Sequence, residues 1–204
     1  MDKHCPFCDP GQFEERLVGS IGSFHVIATL GQISEGGYLL LVPKVHTLCL
    51  GSLPNMRELE WAIAHMRNAL MKEYAMRSVT LFEHGIVGQT VPHAHLHLIP
   101  EAVAIGGRVR NDFPRHLIEE FADFRAFYFA YALEQRPYLL WKEQGGRISV
   151  CWRPPAPSQY LRIVVAEALE KPERANWRTM DATVDRKLYL ETVSRLKSYI
   201  PQGM

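Results

Sequence analysis

Residues 88–100 read Gly88-Gln89-Thr90-Val91-Pro92-His93-Ala94-His95-Leu96-His97-Leu98-Ile99-Pro100 and place three histidines within five positions. Alternation at period two predicts a strand over residues 91–99. His93, His95 and His97 would share one face of this strand at intervals of about 6.6 Å. The opposite face would be buried, and it consists of Ala94, Leu96 and Leu98.

Three imidazoles on one strand face indicate a functional site, because exposed strand faces normally carry Lys, Glu and Thr. A metal cluster is one use of such a row, although Leu98 and Ile99 follow where an Asp or His would complete it. Nucleophilic attack by a neutral imidazole on phosphorus is the other use. Gly88 permits close backbone approach, and Gln89 and Thr90 offer donors to phosphoryl oxygens, so the segment favours phosphate chemistry.

The first 104 residues predict an α+β fold, in the order strand, strand, strand, helix, strand, loop, strand. A helix is predicted from Pro54, as first helical residue, to about Met76, because apolar residues recur there every three or four positions. The predicted strands cover residues 16–20, 24–29, 36–42, 78–83 and 91–99.

Composition changes after Pro100, and residues 105–204 are predicted to form an α/β C-terminal extension, a hairpin and two helices, that packs on the first 104 residues or extends a dimer interface. The Gly-rich, basic residues 106–116 predict a mobile loop or a boundary. The hairpin strands would be 136–143 and 147–152, and one helix would be capped by Ser158. The remaining predictions are a last helix from about Asp185, a buried aromatic cluster over residues 121–131, and no internal repeat.

The 204 residues are 47% hydrophobic and 22% charged, which is typical of a soluble globular chain of one extended domain or two small ones. A net charge of +1 argues against a protein that coats nucleic acid or an anionic membrane. No apolar run approaches the ~20 residues of a membrane span. Four cysteines are too few for a disulfide scaffold, so we expect a reducing, cytoplasmic location.

The segment 88–100 closely resembles the signature of the histidine triad (HIT) family of nucleotide hydrolases and transferases. Two further segments support the resemblance: residues 40–46, Leu40-Leu41-Val42-Pro43-Lys44-Val45-His46, and residues 5–8, Cys5-Pro6-Phe7-Cys8. The resemblance covers residues 1–104, half of the chain. It implies a HIT-like catalytic domain with a five-stranded antiparallel sheet and a long helix, a homodimer, and action on the α-phosphate of a nucleotide conjugate.

The same resemblance implies a role for each residue of the signature. His95 would be the nucleophile that forms a nucleotidyl-phosphohistidine, with its second ring nitrogen donating to the main-chain carbonyl of His93. Phosphoryl oxygens would be held by His97, Gln89 and Thr90, beside Gly88, with Thr90 or His97 near the leaving group. Glu83 stands where the family often has Asn, and it would contact ribose hydroxyls or a cation.

Cys5 and Cys8 have a spacing that can chelate one metal ion, but the residues alone leave a metal site and a pair of buried thiols equally open. Zinc-bearing members of the family add two histidines, which correspond to His46 and His93. The resemblance therefore implies a structural zinc site made of these four residues. His4 is an alternative ligand, and the other two cysteines, Cys49 and Cys151, would be small apolar residues.

Two departures from the family bear on the substrate. Tyr38 occupies a position where many members have a histidine, and residues 29–32 lack the family's acidic ribose contact. Recognition of the ribose is therefore open. Separately, two other functions stay open, a nucleotide-binding regulatory module with little catalysis and a zinc-dependent hydrolase. In the extension, four basic residues could bind distal phosphates or only face solvent: Arg108, Arg110, Arg115 and His116.

Overall fold

Eight strands form one antiparallel sheet within residues 5–201, the part of the chain that the computed structural model describes. The strands are β1 (Leu17–Ile21), β2 (Phe24–Ala28), β3 (Leu39–Pro43), β4 (Thr80–Gly85), β5 (Leu96–Ile99), β6 (Ile118–Phe121), β7 (Tyr138–Lys142) and β8 (Ile148–Trp152). Their order across the sheet is β1-β2-β3-β5-β4-β7-β8-β6. Strands from the first 104 residues, β1 to β5, and strands from the rest of the chain, β6 to β8, thus belong to the same sheet.

Helices cover both faces of this sheet. They are α1 (Met56–Glu73), α2 (Gly106–Asp112), α3 (Phe124–Glu134), α4 (Tyr160–Ala168) and α5 (Ala182–Leu196). The buried side chains of α1, α3 and α5 belong to one core cluster together with Leu96 and Leu98 of β5. Those of α2 and α4 belong to a second cluster with Phe82 of β4 and Tyr38. The mixed fold class and the antiparallel sheet predicted from the sequence are confirmed.

The predicted long helix is confirmed as α1, whose buried positions recur every three or four residues, as the apolar pattern requires. Its first helical residue is Met56 and its cap is Asn55, whose side chain accepts from the backbone N–H groups of Arg57 and Glu58. The placement of Pro54 at the first helical position is therefore wrong. Likewise α4 is preceded by Gln159 as its cap rather than by Ser158.

The predicted strand over residues 91–99 is shorter, because regular pairing begins only at Leu96. Before it the backbone bonds elsewhere: the N–H of His93 donates to Val91 O (2.8 Å) and that of Ala94 to Thr47 O (2.7 Å). Pro92 also has no N–H to offer a ladder. The alternation of faces nevertheless holds, since Ala94, Leu96 and Leu98 all lie in the core cluster under α1.

Residues 106–116 form α2 over much of their length, so the prediction of a mobile loop is wrong. Two causes are visible. The Glu143 carboxylate accepts from the backbone N–H groups of Ile105 and Gly106 at the start of the helix, and Val109 and Phe113 are buried. The extension also contains β6 and α3, which the sequence did not predict; α3 buries Phe124, Phe127 and Tyr131 but leaves Phe129 exposed.

The sheet is larger than the five strands expected from residues 1–104, because β7 pairs with the outer edge of β4 over Leu81–Gly85 and Tyr138–Lys142. The predicted hairpin is confirmed as β7 and β8. One order of elements occurs twice, β3-α1-β4-β5 and then β6-α3-β7-β8. The division of the chain at residue 104 stays a prediction. Among residues 5–201, no helix has both the length and the apolar composition needed to cross a membrane.

Candidate functional site

A cavity of about 130 Å³ lies beside the histidine row, on the sheet face covered by α4. From the first half of the chain it is lined by His84, Gly88, Thr90, His95 and His97, and from the second half by Gln159, Arg162 and Trp177. The remaining lining residues are Pro6, Phe7, Arg16, Thr29, Leu30, Leu40 and Val91. This lining contains cations and neutral imidazoles but no acidic side chain, which suits an anionic ligand.

His95 is oriented by its own backbone neighbour. Its Nδ1 lies 2.6 Å from the carbonyl oxygen of His93, so Nδ1 carries the proton and donates, and Nε2 keeps its lone pair. Burial lowers the pKa of His95 to about 4, because desolvation disfavours the imidazolium. The ring is thus a neutral imidazole with an unprotonated nitrogen in a residue that lines the cavity.

His97 lies beside His95, with ring centroids 5.0 Å apart, and stacks on Phe82 at 4.3 Å. Its Nδ1 is 2.7 Å from the Tyr38 hydroxyl, and its Nε2 is buried without a hydrogen-bond partner among residues 5–201. Burial lowers the pKa of His97 well below its ordinary value. This nitrogen is therefore available to form a hydrogen bond with an atom that enters the cavity.

His84 of β4 also lines the cavity. Its Nε2 accepts from the backbone N–H of Leu161 (3.0 Å), which places its proton on Nδ1. Burial lowers the pKa of His84 to about 3, so the ring is neutral. The nearby contact from Gln159 N–H to Gly88 O (2.9 Å) is a second link. Together these bonds hold the start of α4 against the segment after β4.

Two predicted substrate contacts lie elsewhere. The Gln89 amide donates to the carbonyl of Leu48 (2.8 Å) and does not line the cavity. Glu83 points to the other face of the sheet, because its neighbours on β4 face the cavity. Its carboxyl accepts from Leu50 N–H (2.7 Å) and from the Tyr138 hydroxyl (2.6 Å), and burial raises its pKa to about 8. Neither residue is therefore part of the site proposed below.

The four predicted metal ligands come together. One donor atom from each of Cys5, Cys8, His46 and His93 lies within 4.8 Å of the others. The Nδ1 of His93 is 3.3 Å from Cys5 Sγ, and that of His46 is 3.3 Å from Cys8 Sγ. His93 Nε2 lies 2.9 Å from Pro43 O, so it donates there and leaves Nδ1 free to coordinate. His4 lies outside the described residues.

The sequence did not predict Arg162, Gln159 and Trp177, because apolar spacing shows only the buried face of α4 and no local pattern shows which cavity a single arginine on it, or a tryptophan beyond it, reaches. Two of the four basic residues predicted as possible phosphate contacts form ion pairs elsewhere. Arg108 pairs with Asp112 and Glu167, and Arg110 pairs with Glu120. None of Arg108, Arg110, Arg115 and His116 lines the cavity.

No protein-family model and no curated protein matches this chain. Two solved structures are similar to it in backbone. One, a Hit-like protein involved in cell-cycle regulation from Bartonella henselae, has a TM-score of 0.38 and 21% identity over 44% of this chain and 68% of its own. The other, a hypothetical histidine triad nucleotide-binding protein from Sulfolobus tokodaii, has a TM-score of 0.41 and 21% identity over 47% and 68%. The two TM-scores describe a partial similarity of fold alone.

Proposed function

We propose that the chain is a nucleotide hydrolase or transferase of the HIT type, which cleaves at the α-phosphate of a conjugate such as a dinucleoside polyphosphate or a nucleotide phosphoramidate. The observation that supports this most is the orientation of His95. The Nδ1–H bond to the His93 carbonyl leaves Nε2 as a neutral nucleophile in a cavity lined by cations. Thr90 and the unpartnered Nε2 of His97 supply donors for phosphoryl oxygens.

In the proposed reaction the Nε2 lone pair of His95 attacks the α-phosphorus, and the bond from phosphorus to the leaving group breaks. The leaving group takes the electron pair and a proton from solvent, while Thr90 or His97 donates a hydrogen bond to it. Water then attacks the phosphorus of the nucleotidyl-phosphohistidine and loses one proton to solvent, the N–P bond breaks, and the electron pair returns to Nε2. The products are a nucleoside monophosphate and the leaving group, or a transferred nucleotide if another acceptor replaces water.

A structural zinc ion fits the cluster formed by Cys5, Cys8, His46 and His93. Two thiolates and two imidazoles are a donor set for tetrahedral zinc, and the His93 ring is held by a second hydrogen bond, as metal-ligating histidines usually are. When bound, the ion would supply a rigid link between the N-terminal segment and His93, whose carbonyl orients His95. Four protein ligands leave no position for a metal-bound water, which disfavours a zinc-dependent hydrolase.

A hydrolysis assay tests the proposal with diadenosine tetraphosphate and adenosine 5′-phosphoramidate as substrates. Wild type should turn over at least one of them, His95→Asn should lose turnover while still binding AMP, and the control His116→Asn should behave as wild type. AMP binding without turnover would support a regulatory module instead. Activity that survives His95→Asn and disappears on metal chelation would support a zinc-dependent hydrolase.

The homodimer and the cytoplasmic location stay predictions. Because β4 is paired on both sides, a dimer made by strand pairing would use the outer strands β1 or β6. Size-exclusion chromatography with light scattering would measure the assembly directly.

A further inference from the structure

Arg162 is a buried cation that the proposed reaction does not yet use. Its side chain lines the cavity, and the residue is 4% exposed. Its guanidinium donates to the carbonyl oxygens of Gly31 (2.9 Å), Ala175 (3.2 Å) and Arg174 (3.3 Å), and to the Tyr38 hydroxyl (3.2 Å). All four acceptors are neutral. Within residues 5–201 Arg162 forms no ion pair, so its positive charge is buried without a balancing anion.

The hydrogen bonds beyond Arg162 have a defined direction. A guanidinium can only donate, so the Tyr38 oxygen accepts from it. Burial raises the pKa of Tyr38 to about 12, so the hydroxyl keeps its proton. That proton is directed to His97 Nδ1 at 2.7 Å. His97 Nδ1 is therefore an acceptor, and in a neutral ring the single proton must then lie on Nε2.

The result is an N–H group in a cavity-lining residue. His97 Nε2 is buried and has no partner among the described residues, so its hydrogen is available to a ligand atom. Stacking on Phe82 (4.3 Å, 7° between planes) fixes the plane of the ring. The donor is thus oriented before any ligand binds, which is the arrangement that stabilises developing charge most effectively.

Arg16 is a second cation that lines the cavity. It donates to the carbonyls of Ala28 (3.3 Å) and Gln12 (3.2 Å) and forms no ion pair within residues 5–201, although the carboxylates of Asp185 and Glu15 act on its charge from further away. Two guanidinium groups and a lining without acidic side chains leave the cavity electropositive. A ligand anion would balance the charge of Arg162.

We propose that Tyr38 and Arg162 are positioning residues that hold His97 as a permanent Nε2–H donor, and that the buried charge of Arg162 selects substrates with an anionic group in the cavity. The identification of that group as a phosphoryl group rests on the proposed function. The hydrogen-bond direction from Arg162 through Tyr38 to His97 does not. Arg162 belongs to α4, so the extension would complete the site by acting through a residue of the first half.

Nitrogen-15 NMR of the histidine rings tests the positioning role without any substrate. Wild-type His97, assigned by the signal that disappears in His97→Gln, should show the Nε2–H tautomer. In Tyr38→Phe, which removes one hydroxyl, the signal should change to a mixture of tautomers or to Nδ1–H. A wild-type Nδ1–H tautomer, or an unchanged Nε2–H tautomer in folded Tyr38→Phe, would overturn the proposal.

Calorimetric binding of AMP and of uncharged adenosine tests the charge. Wild type should bind AMP more tightly than adenosine, and Arg162→Met should reduce that preference about tenfold or more while Arg162→Lys restores part of it. An unchanged preference in folded Arg162→Met would overturn the role of the charge.

If wild type binds neither compound, the proposed function fails together with the anion selection, and the NMR result still decides the role of Tyr38. If Arg162→Met does not fold, Arg162→Lys replaces it, with a retained preference expected and an abolished one contradicting the role of charge.

Discussion

The two halves of the sheet share one arrangement and differ in chemistry. The two halves meet where β4 pairs with β7. From this contact the strand order is β4, β5, β3 on one side and β7, β8, β6 on the other. In the chain, α1 follows β3 and α3 follows β6. In the first half ten residues, 86–95, connect β4 to β5. In the second half the five residues 143–147 connect β7 to β8.

This difference concerns the residues of the proposed site. The longer connection contains Gly88, Thr90, His93 and His95, and its strand β5 carries His97 into the cavity. The second half has a tight turn, and its strands β6, β7 and β8 contain no histidine. Within the sheet, the same topology therefore places site residues in the first half and apolar packing residues in the second, and the second half reaches the cavity through α4 and Trp177 rather than through its strands.

The largest expected effect comes from comparing substitutions at His97 and Cys151. These residues lie on β5 and β8, the middle strands of the two halves, and both face the layer that contains α4. We expect His97→Ala to lower turnover about 100- to 1,000-fold, because it removes an oriented donor to phosphoryl oxygen. Cys151→Ala should cost about 1 kcal/mol of stability and leave turnover unchanged. Steady-state kinetics and urea denaturation measure the two effects. Equal loss of turnover in both variants would contradict the comparison.

The hydrogen bond between Tyr138 and Glu83 joins the two halves of the sheet, and the titration of Glu83 makes the free energy of unfolding depend on pH. Glu83 of β4 accepts from the hydroxyl of Tyr138 on β7, and burial raises the pKa of Glu83 from 4.5 to about 8. Between these values the unfolded chain releases a proton that the folded chain keeps, so the Glu83 contribution to the free energy of unfolding falls as pH rises.

Glu83→Gln removes this titration, and its amide oxygen can still accept from Leu50 N–H while its amide nitrogen donates to the Tyr138 oxygen. Relative to wild type, the variant should gain stability, on the order of a few kcal/mol, from about pH 5 to about pH 9, as measured by urea denaturation. A difference between the two proteins that does not change with pH would contradict the buried, protonated carboxyl.

The third effect concerns the N-terminal metal cluster, which has no counterpart in the second half among residues 5–201. Cys5→Ala should abolish stoichiometric zinc binding and lower turnover about tenfold, because the ring of His93 loses its fixed position. Cys49→Ala, at a cysteine buried in the main core, should retain the metal. Metal analysis by mass spectrometry decides the outcome, and full zinc content in Cys5→Ala would contradict the assignment.

The smallest expected effect comes from comparing one glycine in the connection from β4 to β5 with one in the connection from β7 to β8. Gly88 and Gly145 both have positive φ, 71° and 67°. A Cβ at Gly145 meets no described atom within 4 Å, whereas a Cβ at Gly88 would lie 2.6 Å from the carbonyl oxygen of Pro157. Gly145→Ala should cost about 1 kcal/mol and leave AMP binding intact. Gly88→Ala should cost more and weaken AMP binding. Equal effects on binding would show that the contact with Pro157 is unimportant.

Local patterns were enough to predict the elements whose signals lie within a few residues. Period-two alternation indicated the shared face of the histidines, and apolar spacing indicated α1. The four metal ligands were predicted from the family resemblance and lie together. The strand face and α1 depend on residue types at fixed spacing, which the sequence shows directly, whereas His46 and His93 were added to Cys5 and Cys8 only by the resemblance.

Contacts between distant segments could not be predicted. The start of α2 depends on Glu143, which lies 37 residues further along the chain. Glu83 was expected at the substrate from its position in the family pattern, but the face it takes depends on the exact register of β4, and a shift of one residue reverses that face. The role of Arg162 depends on Tyr38, 124 positions away, and on how α4 packs over the sheet.

The most direct test of the central claim is to trap the covalent intermediate on His95. Wild-type protein mixed with adenosine 5′-phosphoramidate, quenched within the first turnover at alkaline pH and digested, should yield one peptide that carries an adenylyl group on His95 by mass spectrometry. The second half should carry none. Turnover without any adduct, or with the adduct on another residue, would contradict the account.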